Sequence, residues 1–242
     1  MPNNELNTLV LRRFETAQSL AGRFALNLHV EFQRLRASLL SGGGEALKRG
    51  FDIAASSLAL VVLAPLFGLI AILVKIEDGG PVFFLQTRVG QFGREFKMFK
   101  IRSMCLDAEQ RLKDLIEKNH HKDGVTFKIK DDPRITRVGK WLRKFSFDEL
   151  PQLYNVLIGD MSLVGPRPPL PREVSKYSLA HRRRLAVKPG ITCIWQISGR
   201  AEIDFSGQVQ LDVDYIESQG FWVDVKILAR TVPAVLSGKG AC

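Results

Sequence analysis

The chain has 242 residues, a formal net charge of +10 at pH 7, and 45% hydrophobic and 25% charged residues. That composition supports one packed domain with additions and excludes global disorder. The positive excess calls for an anionic partner: lipid headgroups, nucleic acid or phosphorylated substrates.

Residues 5–40 read as one or two amphipathic helices, with Leu6, Leu9, Phe14, Leu20, Phe24, Leu28, Phe32, Leu35 and Leu39 at helical spacing and arginines between them. The pattern suits either an anionic membrane interface or packing on a protein surface. No cleavable leader is expected, because residues 1–20 lack an apolar run. Ser41-Gly42-Gly43-Gly44 reads as a flexible joint.

Residues 53–74 hold 22 positions without a charge, enough as a helix to cross a bilayer core of roughly 30 Å. Pro65 sits near the middle. Both flanks are basic, with Lys48 and Arg49 before and Lys75, Arg88, Arg94 and Lys97 after. A spanning helix keeps its positive residues on one side. Three forms are compatible with the stretch: a re-entrant hairpin that breaks at Pro65, a kinked single span and a buried core helix. Re-entry is the expectation, because it leaves both basic flanks in the cytoplasm. The domain reading is therefore an extension over 1–44, a re-entrant membrane helix over 45–76 and a cytoplasmic domain at the interface over 77–242.

Residues 82–86 and 95–102 read as two strands joined through Gly90-Gln91-Phe92-Gly93, a hairpin turn rather than a phosphate loop. A charged helix follows over 106–118, a polar loop with a short strand at 125–129, and a basic helix over 135–144. The segment from Phe147 to Ile158 leads into another helix. Residues 171–187 read as one helix with a basic end, 191–197 as an extended piece, and 205–219 and 222–236 as two last helices. The fold class is α+β, mostly helical, with a re-entrant hairpin, amphipathic helices and a small β-hairpin. Cys105, Cys193 and Cys242 are odd in number and lack metal-ligand spacing, which fits a reducing compartment. His120-His121 with Asp123 reads as a solvated loop, not a metal site.

Asp148-Glu149 is the acidic pair that stands out, because Arg143, Lys144 and Arg167 surround it in sequence. Ser146-x-x-Glu149 also matches a capping box, so plain helix capping is an alternative to chemistry. Pro151 favours a helix that starts at Phe147 or Asp148, since proline is tolerated in the first turn. Adjacent helical residues lie about 100° apart, so the two carboxylates would have different roles. In Gly165-Pro166-Arg167-Pro168-Pro169 the proline rings fix the backbone around an arginine whose fork suits a phosphate. Arg88, Lys100 and Arg102 are further cationic candidates, each also readable as a solvated surface charge.

Six ordered motifs carry a resemblance: Lys48-Arg49-x-Phe51-Asp52, Pro65 in the apolar stretch, Lys100-Ile101-Arg102-Ser103-Met104, Asp148-Glu149-Leu150-Pro151-Gln152, Gly159-Asp160-Met161-Ser162-x-Val164-Gly165-Pro166-Arg167-Pro168, and Lys188-Pro189-Gly190-Ile191-Thr192. From about residue 48 to 236 the chain resembles the bacterial sugar transferases, the monotopic phosphoglycosyl transferases that begin surface-polysaccharide assembly. Larger relatives carry further membrane helices and a domain before these motifs, so the chain looks like a short form. The resemblance implies transfer of a sugar 1-phosphate from a UDP-sugar to undecaprenyl phosphate, with release of UMP, at the cytoplasmic face of the bacterial inner membrane. It implies Asp148 as a nucleophile that forms a covalent phosphosugar intermediate, with Glu149 as its partner. Mg²⁺ on the diphosphate, with Asp148 as its protein ligand, and Arg143 and Arg167 would stabilise the charge; Arg102, Lys100 and Arg88 are weaker phosphate-binding candidates. Anionic lipid is an expected partner and nucleic acid is not. The oligomeric state stays open, a homodimer included.

Two positions depart from the family pattern. Ala64 stands before Pro65 where relatives often have serine, which leaves Ser56 or Ser57 to supply a hydroxyl, and Cys193 stands where relatives commonly have glycine. The competing readings are a membrane-tethered basic binding protein and an inactive scaffold of the same fold.

Overall fold

The computed structural model describes residues 20–115, 132–199 and 203–237. The strand expected at 125–129, the His120-His121-Asp123 loop, Cys242 and the first part of the amphipathic extension lie outside the described residues. Two compact units divide the chain, Met1–Leu47 and Lys48–Cys242.

Helix α1 (Leu20–Asp78) has 59 residues and runs on through Pro65. The glycine joint expected at 41–44 and the break expected at Pro65 are both helical backbone. Extending a helix avoids a second costly nucleation, which offsets propensity penalties of roughly 1 kcal/mol per glycine and roughly 3 for proline. Ser56 does not serve the proline; its hydroxyl donates to Ile53 O at 3.2 Å. Within α1, Gly44–Asp78 is the one helix among the described residues long and apolar enough to cross a membrane, with mean hydropathy 2.8 and 11% burial.

Only one stripe of that apolar stretch touches protein. Phe51, Ala55, Ala59, Leu60 and Leu63 pack against one core cluster, and Leu66, Phe67, Ile70 and Val74 belong to a second. The spacing of three and four residues is that of one helix face. On the rest of the surface Leu58, Val61, Val62, Leu69, Ile72 and Ile76 are exposed. A helix apolar all round, with half of it bare, is what lipid contact requires.

Strands β1 (Phe83–Val89) and β2 (Glu95–Ile101) form the expected antiparallel hairpin, with Phe83 opposite Ile101 and Val89 opposite Glu95. Its turn places Phe92 at φ 56° and Gly93 at φ 84°, the left-handed region where only glycine is free of cost. Helices α2 (Ala108–Leu115), α3 (Arg137–Lys144) and α4 (Gln152–Ile158) follow. Strand β3 (Ser162–Val164) lies parallel to β4 (Gly190–Thr192), a second small sheet that the sequence pattern did not announce.

The helix expected over 171–187 is divided into α5 (Pro171–Val174), α6 (Leu179–Arg182) and a 3-10 turn, Arg183–Leu185. Ser178 starts the second piece by accepting from His181 N, and Tyr177 is drawn into the core. The basic end is not uniformly solvated either: Arg184 is buried and paired with Asp212, between the rings of Tyr177 and Phe205. The piece expected to be extended after β4 turns into helix α7 (Ile194–Ser198). Helices α8 (Phe205–Ser218) and α9 (Phe221–Ser237) match expectation, α8 being capped by Asp204 through Gly207 N.

The main core gathers Phe96, Met98, Leu153, Val156, Met161, Leu163, Val164, Tyr215 and Ile227. It brings β2, α4, β3, α8 and α9 to one place. Of these, β2 and α4 flank the acidic pair, and β3 leads into the Pro-Arg-Pro loop.

Candidate active site

The acidic pair sits on a 3-10 turn, Phe147–Glu149, between α3 and α4. Ser146 just before it adopts φ 55°, ψ 23°, and its side chain caps nothing. The capping-box alternative is therefore not realised. A left-handed serine costs on the order of 1 kcal/mol and reverses the chain so that both carboxylates turn inward. Pro151 stands at the start of α4, where its missing N–H is harmless.

Glu149 lies 2.7 Å from Lys100 Nζ and 3.5 Å from Arg167. Burial alone would raise its carboxyl, but Lys100 and Arg167, with a direct hydrogen bond from Lys100, bring it down to about 2. Asp148 is buried and, among the described residues, makes no side-chain hydrogen bond. Burial pushes its carboxyl above the usual range, and the charge of Glu149 adds to this against Lys100, Arg143 and Arg167. Lys100 is itself lowered by burial and by the neighbouring Arg167 and Arg88, while Glu149 and Asp148 hold it up. Two carboxylates and a ring of cations thus share one desolvated place.

Each cation has its own support. Lys100 rides on β2, and the side chain of fully buried Asn155 ties that strand to α4. Asn155 Oδ1 accepts from Phe99 N at 3.0 Å and Nδ2 donates to Lys97 O at 2.8 Å. Arg88 is buried on β1, where it donates to Pro168 O at 2.8 Å and to Gln86 Oε1 at 2.7 and 3.0 Å. Desolvation and the neighbouring Arg167 bring it down to about 10. Val89 N donates to Pro169 O at 2.9 Å, so β1 grips the loop of Arg167 twice. Arg167 itself is about one third exposed.

Glycine sets the loop's position. A Cβ on Gly165 would lie 2.4 Å from Lys188 O, and one on Gly190 would lie 2.1 Å from Gly165 N. The Gly-Pro-Arg-Pro and Lys-Pro-Gly motifs are two backbones in direct contact. That contact creates one wall of a small cavity of about 10 Å³, room for about one water. Arg88, Lys100, Glu149, Gln152 and Arg167 supply its polar lining, and Met98 and Ile191 its apolar walls.

Not every candidate converges. Arg102 is buried at the end of β2 and paired with Asp78, with its guanidinium against Gly80; it does not line the cavity. Arg143 stands close enough to Asp148 to lower its carboxyl but is not a lining residue. Asp148, next to Glu149 in sequence, is not a lining residue. Pro65 is on the apolar stretch of α1. Gln152 and Asn155 were missed as site residues. Only their position beside the acidic pair could have flagged them, since neither is charged.

The apolar helix is fastened to the same elements at both ends. Lys48 Nζ donates to Val164 O at 3.1 Å and pairs with Asp224. Arg49 donates to Val156 O at 2.6 Å and Leu157 O at 2.8 Å, closing the C-terminus of α4. Asp52 accepts from Leu163 N at 3.1 Å. At the other end Glu77 accepts from Arg137 N at 2.7 Å and Val138 N at 3.1 Å, capping α3.

No group of three or more His, Cys, Asp or Glu side chains that could enclose a metal occurs among the described residues. Mg²⁺ needs no such cage where one or two carboxylates and substrate phosphates suffice. Asp148, a carboxylate with no hydrogen-bond partner among the described residues, is a donor of that kind.

The family model described as "Bacterial sugar transferase" matches residues 43–238. The chain is 51% identical over 198 residues to the galactosyl transferase CpsE of Streptococcus agalactiae, an alignment covering 80% of this chain and 43% of that one. It is 42% identical over 202 residues to the exopolysaccharide production protein ExoY of Rhizobium meliloti, covering 82% and 89%. It is 40% identical over 225 residues to the undecaprenyl-phosphate galactose phosphotransferase of Salmonella typhimurium, covering 90% and 46%. The chain thus spans less than half the length of two of these relatives and most of the third.

Proposed function

The chain belongs to the bacterial sugar transferase family, and on that premise we propose that it transfers a sugar 1-phosphate from a UDP-sugar to undecaprenyl phosphate in exopolysaccharide or capsule assembly. The observation that carries this reading is the desolvated cluster of Asp148 and Glu149 with Lys100, Arg88 and Arg167. Such a cluster suits a dianionic diphosphate that a carboxylate must approach.

In the proposed reaction an Asp148 oxygen attacks the β-phosphorus of the donor. The bond from that phosphorus to the bridging oxygen breaks, and UMP leaves with the electron pair. A phosphate oxygen of the lipid acceptor then attacks the same phosphorus and restores the carboxylate. Arg167 and Lys100 offset the charge on the phosphates, and Glu149 keeps both cations in place. A Mg²⁺ ion held by Asp148 and the diphosphate would supply further neutralisation.

The acceptor's tail lies in lipid and the donor is a water-soluble anion, so the chemistry belongs at a membrane surface. We propose that α1 enters and leaves the lipid from the cytoplasmic face. Support comes from Lys48, Arg49 and Asp52 at one end and Glu77 at the other, all bound to one folded unit.

Purified protein incubated with UDP-sugars, Mg²⁺ and undecaprenyl phosphate is expected to release UMP. Asp148→Asn is expected to lower that rate by at least about 1,000-fold, because the nucleophile is lost. Full activity in that variant would remove Asp148 from the mechanism. Absence of UMP with every UDP-sugar would return the molecule to the basic binding or scaffold reading.

A further inference from the structure

Glu149 stands where the cations of the site converge. Its Oε1 accepts from Lys100 Nζ at 2.7 Å and from Arg167 Nη1 at 3.5 Å. Burial disfavours the charges of Arg88 and Lys100, and the neighbouring Arg167 adds to this at both. Glu149 opposes it at both, with Glu173 helping at Arg88 and Asp148 at Lys100. A carboxylate offers lysine and arginine the same kind of charged oxygens as a phosphate. One anion is thus already built into the place that these cations would offer to a diphosphate.

Space makes the two anions exclusive. Beside Glu149 the cavity of about 10 Å³ has room for about one water. A phosphate group is larger, so it reaches these cations only by taking the place of the carboxylate. Arg88 is fixed by its bonds to Pro168 O and Gln86 Oε1, and Lys100 belongs to β2. Glu149 hangs on a flexible side chain at the end of a 3-10 turn, and Arg167 is about one third exposed and makes the longer of the two contacts. We propose that Glu149 is a built-in stand-in for the donor's phosphate, which keeps Lys100 and Arg167 assembled and yields them when a diphosphate enters. This rests on the transferase reading above and gives Glu149 a task distinct from that of Asp148.

The test measures binding of pyrophosphate and of UDP to the full chain in detergent by calorimetry, first with EDTA and then with Mg²⁺. Glu149→Gln keeps the shape and removes the charge. Its dissociation constant for pyrophosphate in EDTA is expected to fall about 10-fold or more below that of wild type, because the incoming anion no longer competes with a carboxylate. UDP is expected to follow. Glu149→Asp, whose shorter carboxylate grips the cations less well, is expected to fall between the two. Glu149→Gln also leaves buried cations uncompensated, so its Tm is expected to drop and to rise more with pyrophosphate than that of wild type. Should Glu149→Gln fail to fold even with pyrophosphate, Glu149→Asp carries the comparison.

If pyrophosphate binding in EDTA is unchanged or weaker in the variants, Glu149 does not hold the phosphate's place and the proposal is overturned. No change in EDTA with weakening in Mg²⁺ would overturn it too, and would make Glu149 a metal ligand. Absence of binding in wild type and variants alike would mean that the cations take no diphosphate, which has the same effect. Wild type that releases no UMP from any UDP-sugar would overturn the transferase reading itself. The binding comparison involves no turnover, so it decides the role of Glu149 separately.

Discussion

Asp148 and Glu149 are neighbours in sequence but differ in electrostatic state. Glu149 faces Lys100 and Arg167 and is held ionised, while Asp148, also buried, is raised by its desolvation. Such divergence between adjacent carboxylates marks sites where two groups have two tasks. Lys100 depends in turn on Asn155, whose amide satisfies one donor and one acceptor on β2. Asn155→Ala would leave Phe99 N and Lys97 O, both part-buried, without these partners, with an expected loss of about 1–3 kcal/mol in unfolding free energy. Thermal or denaturant unfolding checks this. Kinetics adds a second readout: kcat should fall along with stability, since Lys100 would lose its fixed position. An Asn155→Ala protein with native stability would show that the strand is held by packing alone.

Two loops with different chemistry become one wall of the site because glycine lets them touch. Gly165 and Gly190 have no room for a Cβ, whereas Gly50 on α1 has nothing within 4 Å of the same position. Gly165→Ala or Gly190→Ala is expected to cost about 3 kcal/mol or more, at the upper end for overpacking, because backbone rather than a flexible side chain must move. Gly50→Ala is expected to stabilise by up to about 1 kcal/mol through helix propensity. Parallel melting curves decide it. Equal effects at all three positions would mean that the strand crossing between β3 and β4 is looser than its geometry.

The folded unit from Lys48 onward holds an apolar helix against itself along one stripe and leaves the opposite face bare. A helix that merely tethered a domain would be free of it over most of its length. Here basic and acidic side chains at both ends bind the backbones of α4, β3 and α3, the elements that flank the acidic pair. Anchoring and site geometry are therefore mechanically joined. Single cysteines placed at Gly50 and at Ile76, in a chain whose own cysteines are alanine, test the one-sided arrangement. Both are expected to react with a membrane-impermeant maleimide from the cytoplasmic side. Labelling of position 76 from the opposite side alone would establish a span.

Local signals were enough for much of this. The uncharged run before Lys75, the hairpin around Gly90 and Gly93, the last two helices and the grouping of Asp148, Glu149 and Arg167 all follow from periodicity, turn residues and motif spacing. What depends on distant neighbours was not legible. Arg102 looked as suitable for phosphate as Lys100, one turn of the strand pattern away, until Asp78 paired with it. The helix expected over 171–187 was divided because Tyr177 and Arg184 gained more from the core than from a continuous helix. The pairing of β3 with β4 joins residues far apart in sequence. Sequence alone determined which residues carry charge, where the backbone can turn and which stretch prefers lipid, since these are properties of short segments. Tertiary structure decided which charges face each other and which are spent on the fold, because desolvation and pairing exist only once separate segments are brought together.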